Sequence, residues 1–145
     1  MKELTGDIWD YYDKGNWVVI TTNGFVKKNG EAVMGRGVAQ QAKQRYPDLP
    51  KRLGDCLRAL GNHVTLQPSC GLLTFPVKHN WWEKADLELI EQSCKELRDM
   101  ASVLKPLIYL VRPGCSNGKR DWLTEVKPIL EKYLDDRFVV VEKEG

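Results

Sequence analysis

The sequence predicts an α/β sandwich built on a largely parallel sheet. Short, continuous apolar runs rich in β-branched residues, at 17–22, 107–111 and 138–141, read as strands covered on both faces. A strand with one wet face would instead alternate apolar and polar residues. Between these runs lie stretches with apolar residues at helical spacing, and strands that alternate with helices are joined in parallel by crossovers.

The elements follow in chain order. Trp17-Val18-Val19-Ile20-Thr21-Thr22 ends at the turn pair Asn23-Gly24, so the first buried strand stops at a loop. After Gly37, residues Val38, Ala42 and Tyr46 share a helical face until Pro47 ends it. Leu53, Leu57 and Leu60 repeat the pattern over about 50–60, closed by Gly61-Asn62. A short strand near 64–66 and a clearer one over 71–75, stopped by Pro76, come next. Leu89, Ile90, Leu97, Ala101 and Leu104 mark the longest helix, 86–104, with acids in its first turn where the dipole favours them. The strand over 107–111 runs into a glycine-bearing loop, and a helix over about 121–134 follows, with Pro128 expected to disturb it. Phe138-Val139-Val140-Val141 is the last strand.

Composition narrows the function. The 145 residues carry 22 Lys+Arg against 20 Asp+Glu, a net charge of +2, and are 42% hydrophobic, which fits one ordered domain over 1–145 with a core that needs no metal or disulfide staple. A charge so balanced provides no broad cationic field, so any nucleic-acid contact has to be local. No apolar run approaches the ~18 residues that span a bilayer, and MKELTGDIWD carries acids where a signal peptide has its apolar stretch. A cytoplasmic protein with no membrane partner is expected. Cys56, Cys70, Cys94 and Cys115 are spread singly, against a zinc or redox motif. The first three are expected to be small buried hydrophobes, and Cys115, in a glycine loop, is set apart. With His63 and His79 the only histidines, a hydrolytic zinc site lacks ligands, and neither metal nor cofactor is expected.

Ligands of open α/β sheets bind outside the carboxyl ends of the strands, which singles out the loops after Thr22, Phe75 and Val111. The first ends in Met34-Gly35-Arg36-Gly37-Val38-Ala39, a glycine pair running into a helix start, where free N–H groups favour an anion. The third, Gly114-Cys115-Ser116-Asn117-Gly118, can form a second N–H concavity. Together they suggest a pyrophosphate held by backbone; a plain turn and cap at Gly35-Arg36-Gly37 is the bland alternative. No Walker lysine follows and the spacing is not the dinucleotide fingerprint, which disfavours an ATPase or a nicotinamide dehydrogenase. The middle loop puts Lys78 just past a buried strand, followed by His79, Trp81 and Trp82. Either the tryptophans desolvate the lysine and lower its pKa, as a nucleophilic amine requires, or Lys78 is a solvated charge and the rings are edge packing.

Five stretches in order resemble the macro domain family of ADP-ribose binders. They are Leu4-Thr5-Gly6-Asp7-Ile8, Thr21-Thr22-Asn23-Gly24, Met34-Gly35-Arg36-Gly37-Val38-Ala39, Phe75-Pro76-Val77-Lys78 with Trp81, and Pro113-Gly114-Cys115-Ser116-Asn117-Gly118 with Trp122. The resemblance runs over about 4–141 and implies a three-layer α/β/α sandwich around a mixed sheet, with ADP-ribose in a cleft at the strand ends. Pro76-Val77-Lys78 with Trp81 looks like the branch of the terminal ADP-ribose protein glycohydrolase and of the antitoxins that remove ADP-ribose from DNA bases. In that branch a lysine at the position of Lys78 is catalytic.

The same resemblance implies that Asp7 accepts from the adenine amino group, with the Ile8 backbone beside it, and that Asn23 lies near the distal ribose. It makes Gly35, Arg36, Gly37, Val38 and Ala39 one phosphate loop, and Gly114, Cys115, Ser116, Asn117 and Gly118 the other, with Pro76 beside the lysine. Read alone, Asp7 is a cap, Asn23 a turn residue and Arg36 a solvent-facing charge. One position departs: Gly118 stands where the protein glycohydrolase has an aspartate, and the nearest acid, Asp121, reads as a helix cap. The DNA-type branch also keeps the lysine without that aspartate. Residues 25–31, with Lys27 and Lys28, either contact the group carrying the ADP-ribose or form a solvated hairpin. The implied function is an ADP-ribosyl hydrolase acting through Lys78, with a non-catalytic ADP-ribose reader or an ADP-ribose 1″-phosphate phosphatase as alternatives. The implied partners are ADP-ribose or an ADP-ribosylated protein or nucleic acid, and a cognate ADP-ribosyltransferase.

Overall fold

The apolar runs pair into one six-stranded sheet in the computed structural model, which describes residues 1–143. The strands are β1 (Lys2–Thr5), β2 (Trp17–Asn23), β3 (Thr65–Gln67), β4 (Leu72–Lys78), β5 (Ile108–Leu110) and β6 (Phe138–Glu142), in the order β1-β6-β5-β2-β4-β3. Every pairing is parallel except β3 with β4. The sheet is therefore mixed and mostly parallel, as expected.

Alternate residues of each central strand feed two cores. Val18 and Ile20 of β2 and Tyr109, Val139 and Val141 pack on one face. There they meet α1 (Ile8–Asp13), α2 (Gly37–Arg45) and α3 (Leu49–Leu60), through side chains such as Trp9, Ala42 and Leu53. Val19, Phe75, Ile108 and Val140 pack on the other face against α4 (Leu87–Ala101) and α5 (Lys127–Tyr133). Helices on both faces explain why the strands lack alternation, and each fully buried Val, Leu, Ile or Phe stabilises the fold by about 1.5–3 kcal/mol.

Several elements differ from expectation. β1 and α1 carry no strong pattern: β1 is exposed along its whole length, and α1 is one short turn and a half that buries only Ile8 and Trp9. Pro76 does not stop β4, which runs on to Lys78. Beyond Thr74 the strand has lost its β3 neighbour, and the β2 register shifts opposite Pro76, between Thr22 and Asn23, so a missing N–H is tolerated there. Leu60 does not join the buried face of α3. Burial falls along that helix from Leu49 at 0% exposure through half-buried Leu57 to Leu60 at 64%, because its C-terminal end leaves the sheet. Helix α4 ends at Ala101, and Leu104 packs against the core from beyond it.

The helix expected over 121–134 is split. Trp122–Val126 forms a π-helical turn, with Val126 N donating to the Asp121 carbonyl at 3.1 Å, and α5 then begins with Pro128 in its first turn. A proline ring clashes with the carbonyl one turn before it, and the widened turn relieves that clash. Cys70 and Cys94 are buried as expected, whereas Cys56 is only half-buried, packed against the edge of the core beneath α3. No helix among the described residues is long and apolar enough to cross a membrane.

Candidate functional site

The ends of β2, β4 and β5 bring the expected loops together around Lys78. Lys78 pairs with Asn23 at the last rung of the β2–β4 ladder. Its Nζ donates to the carbonyls of Trp81 at 3.3 Å and Asn117 at 3.2 Å, tying the middle loop to the third. Burial holds its pKa below the ordinary 10.5, and the charges of Arg36 and Lys119 push the same way. Trp81 and Trp82 are 52% and 59% exposed and pack edge to face, 5.5 Å apart.

The first glycine loop is open. Gly35 has no heavy atom within 4 Å of where a Cβ would sit, and Gly35, Arg36 and Gly37 are all exposed. Arg36 is the cap residue of α2 and makes no side-chain capping bond, so the first N–H groups of the helix, through the buried Val38 and Ala39, keep their donors for a ligand. Gly37 has φ 59°, and the place of its missing Cβ is 4.0 Å from Asn117 Nδ2, so the two glycine loops face each other.

The third loop is tight rather than open. Gly114 has φ 72°, and Lys119 N and Arg120 N close the turn onto the carbonyls of Ser116 and Gly114 at 3.1 and 2.9 Å. Ser116 and Asn117 are exposed at its tip, while Gly118 is buried. A Cβ on Gly118 would lie 2.5 Å from the Gly114 carbonyl oxygen and 2.8 Å from Ala85 Cβ. Position 118 therefore admits no side chain, and the aspartate of the protein glycohydrolase has no room here. Asp121 does not replace it, because its Oδ2 caps the π-helical turn at Thr124 N, 2.8 Å away. Cys115 is half-buried and its thiol is pushed up to about 11, chiefly by burial, which makes it a poor nucleophile.

Asp7 caps α1, with Oδ1 accepting from Trp9 N at 3.0 Å, and Ile8 is buried behind it. Asn23 shapes the first loop: Oδ1 accepts from Phe25 N at 3.0 Å and Nδ2 donates to the Val33 carbonyl at 3.2 Å. Residues 25–31 form a tight hairpin docked on α3. Ala32 N donates to the Pro50 carbonyl at 2.9 Å, and the Gly30 carbonyl occupies the space a side chain at Gly54 would fill. Phe25 at the base of the hairpin packs edge to face against Trp82 of the middle loop, 5.5 Å between ring centres.

His79 pairs with Asp86, the cap residue of α4, at 2.8 Å, and His63 pairs with Glu96 at 2.8 Å. Among the described residues no group of three His, Cys, Asp or Glu converges on a metal-sized site. Sequence reasoning missed Lys119, whose left-handed φ of 61° turns it out of a loop read only for its N–H groups. It also missed Asn62, whose amide reaches the Lys78 carbonyl at 3.0 Å from the turn after α3. No local signal marks either role.

This strand order, with glycine loops at the carboxyl ends, is the macrodomain fold. Within it, the chain resembles the macrodomain of Thermus aquaticus DarG, with a TM-score of 0.76 and 25% identity over 99% of this chain and 97% of that one. The macrodomain of Mycobacterium tuberculosis DarG gives 0.73 and 20% over 98% of each chain. Thermosipho africanus DarTG in complex with ADP-ribose gives 0.72 and 17% over 91% of this chain, which spans 39% of that longer one. No protein-family model and no curated protein sequence matches the chain.

Proposed function

We propose that this chain binds ADP-ribose across its two glycine loops and hydrolyses the bond between C1″ of the ribose and an acceptor on a macromolecule, with Lys78 as the nucleophilic amine. The observation that carries the reading is Lys78 itself. The Lys78 side chain is half-buried, its amine is held by two backbone carbonyls, and its pKa is depressed by burial and by two neighbouring cations. Burial and the two cations raise the neutral, nucleophilic fraction. The N–H groups at the start of α2 and at the tip of the third loop would hold the pyrophosphate and so fix C1″ in front of the amine.

The chemistry balances without a cofactor. The amine nitrogen bonds to C1″ as the C1″–acceptor bond breaks, and one amine proton leaves with the acceptor. Opening of the ribose ring passes the second amine proton to the ring oxygen and gives an imine. Water then hydrolyses the imine, returning the lysine and free ADP-ribose. The acceptor, a protein side chain or a nucleic acid, would be modified beforehand by a cognate ADP-ribosyltransferase.

One observation favours a second reading, an ADP-ribose reader that does no chemistry: position 118 is closed to any side chain, so no acid partners Lys78 from that loop. The two readings separate cleanly, because a reader protects a modified acceptor and a hydrolase consumes it. Calorimetric titration with ADP-ribose is expected to show binding by the wild type and none by Gly37→Glu, which sets bulk and negative charge in the first loop. Absence of heat with the wild type would remove the ADP-ribose reading altogether.

A further inference from the structure

The end of β4 is tied down carbonyl by carbonyl. The Pro76 carbonyl accepts from Ser93 Oγ at 2.7 Å and the Val77 carbonyl from Asp86 N at 2.8 Å, both at the start of or within α4. The Lys78 carbonyl accepts from Gly24 N at 3.1 Å and from Asn62 Nδ2 at 3.0 Å. Asn62 belongs to neither neighbouring strand; it comes from the turn that closes α3.

Asn62 Oδ1 is buried and bonds to no described residue, so the side-chain amide reaches the protein through Nδ2 and the Lys78 carbonyl. Rotating the amide would set Oδ1 against the Lys78 carbonyl, two acceptors face to face, so its orientation is fixed by chemistry. Gly24 is shaped to the same contact. A Cβ there would lie 2.9 Å from both Cγ and Nδ2 of Asn62 and 3.0 Å from the His79 carbonyl oxygen.

We infer that Asn62 is a positioning residue: its amide clamps the backbone of Lys78, with Gly24 leaving room for it, so that the amine is held between the Trp81 and Asn117 carbonyls. The inference rests on Lys78 being the reacting amine, but its structural half does not. With the clamp gone, residue 78 keeps only the Gly24 bond at its carbonyl, and the side chain gains freedom to swing into water. A hydrated amine titrates nearer the ordinary lysine range and spends less time aligned.

The test follows the Lys78 Cε resonance against pH in chain labelled with 13C-lysine, assigned by Lys78→Met. Asn62→Ala is expected to move the Lys78 titration upward while leaving ADP-ribose affinity within about 3-fold of wild type. In a release assay it is expected to lower kcat about 10-fold or more with KM little changed, and to shift the rate–pH profile upward. Asn62→Ser, which keeps a short donor, recovers part of both and serves the same comparison if the alanine variant unfolds. Gly24→Ala, which displaces the Asn62 amide without removing it, is expected to reproduce the upward shift. A Lys78 titration identical to wild type in all the folded variants overturns the inference. Wild-type chain that binds ADP-ribose but releases nothing overturns the hydrolase reading instead, and the titration still decides whether Asn62 clamps Lys78.

Discussion

Lys78 Nζ and the Asn117 carbonyl oxygen meet at 3.2 Å across 39 residues of sequence. One hydrogen bond thus couples the end of β4 to the tip of the third loop. The same Asn117 turns its amide towards the open face of Gly37, so both glycine loops and the lysine form one junction.

Removing the amine tests the chemistry directly. Lys78→Ala is expected to abolish release of the acceptor in a discontinuous assay while keeping ADP-ribose binding by calorimetry. Lys78→Arg is expected to be inactive as well, because a guanidinium stays protonated and cannot act as a nucleophile. Unchanged turnover in either variant ends the assignment of Lys78.

The pH dependence has a definite sign. If the neutral amine of Lys78 is the nucleophile, as proposed, the cleavage rate is expected to rise with pH up to a Lys78 pKa that lies below the ordinary 10.5. Lys119→Gln removes one of the cations that depress it and is expected to move that profile to higher pH. Stability has the matching trend. Between the folded pKa and 10.5 the unfolded chain binds more protons at residue 78, so this group makes stability rise with pH there. Thermal melts of wild type and Lys78→Met across that window give the difference; parallel curves would contradict it.

Gly118 is expected to resist every substitution. Gly118→Ala forces a Cβ to within 2.5 Å of the Gly114 carbonyl oxygen, an overpacking that costs about 1–3 kcal/mol. Gly118→Asp should therefore lose stability and ADP-ribose binding rather than gain a catalytic acid. Chemical denaturation measures the first and calorimetry the second.

Asp86 supports the middle loop. It caps α4 through Glu88 N and pairs with His79, and the His79 contact is the main cause that holds its carboxyl below the usual 3.8. A carboxylate depressed by folding stabilises above its unfolded pKa, and that stabilisation is lost as pH falls through the folded value, so it is present at neutral pH and absent in strong acid. Asp86→Ala is expected to cost about 0.5–2 kcal/mol at pH 7, mainly through the cap. Urea denaturation at pH 7 and near pH 2 should show the difference shrinking in acid.

Much of the fold was legible because burial on both faces leaves its mark in consecutive residues. Val18, Val19 and Ile20 feed opposite cores from adjacent positions, which only a covered strand can do. β1 and α1 were not legible, since their short spans bury almost nothing. Pro76 and Pro128 were read as breaks from local chemistry alone. The first lies in a strand that has lost its outer neighbour and the second opens a helix after a widened turn, and both facts belong to the surroundings.

The sequence by itself determined where the loops fall, that glycines stand in the first and third of them, and that a lysine stands at the end of a buried strand. Those features depend on backbone conformation and residue type within a few positions. Only the tertiary structure decided that Asn117 and Trp81 hold the lysine through carbonyls, that Asn62 grips its backbone, that Lys119 and Arg36 set its charge environment, and that Gly118 has no space for an acid. Each of those is a contact or an exclusion between segments that meet only when the strands stack side by side, and no local pattern encodes such a meeting.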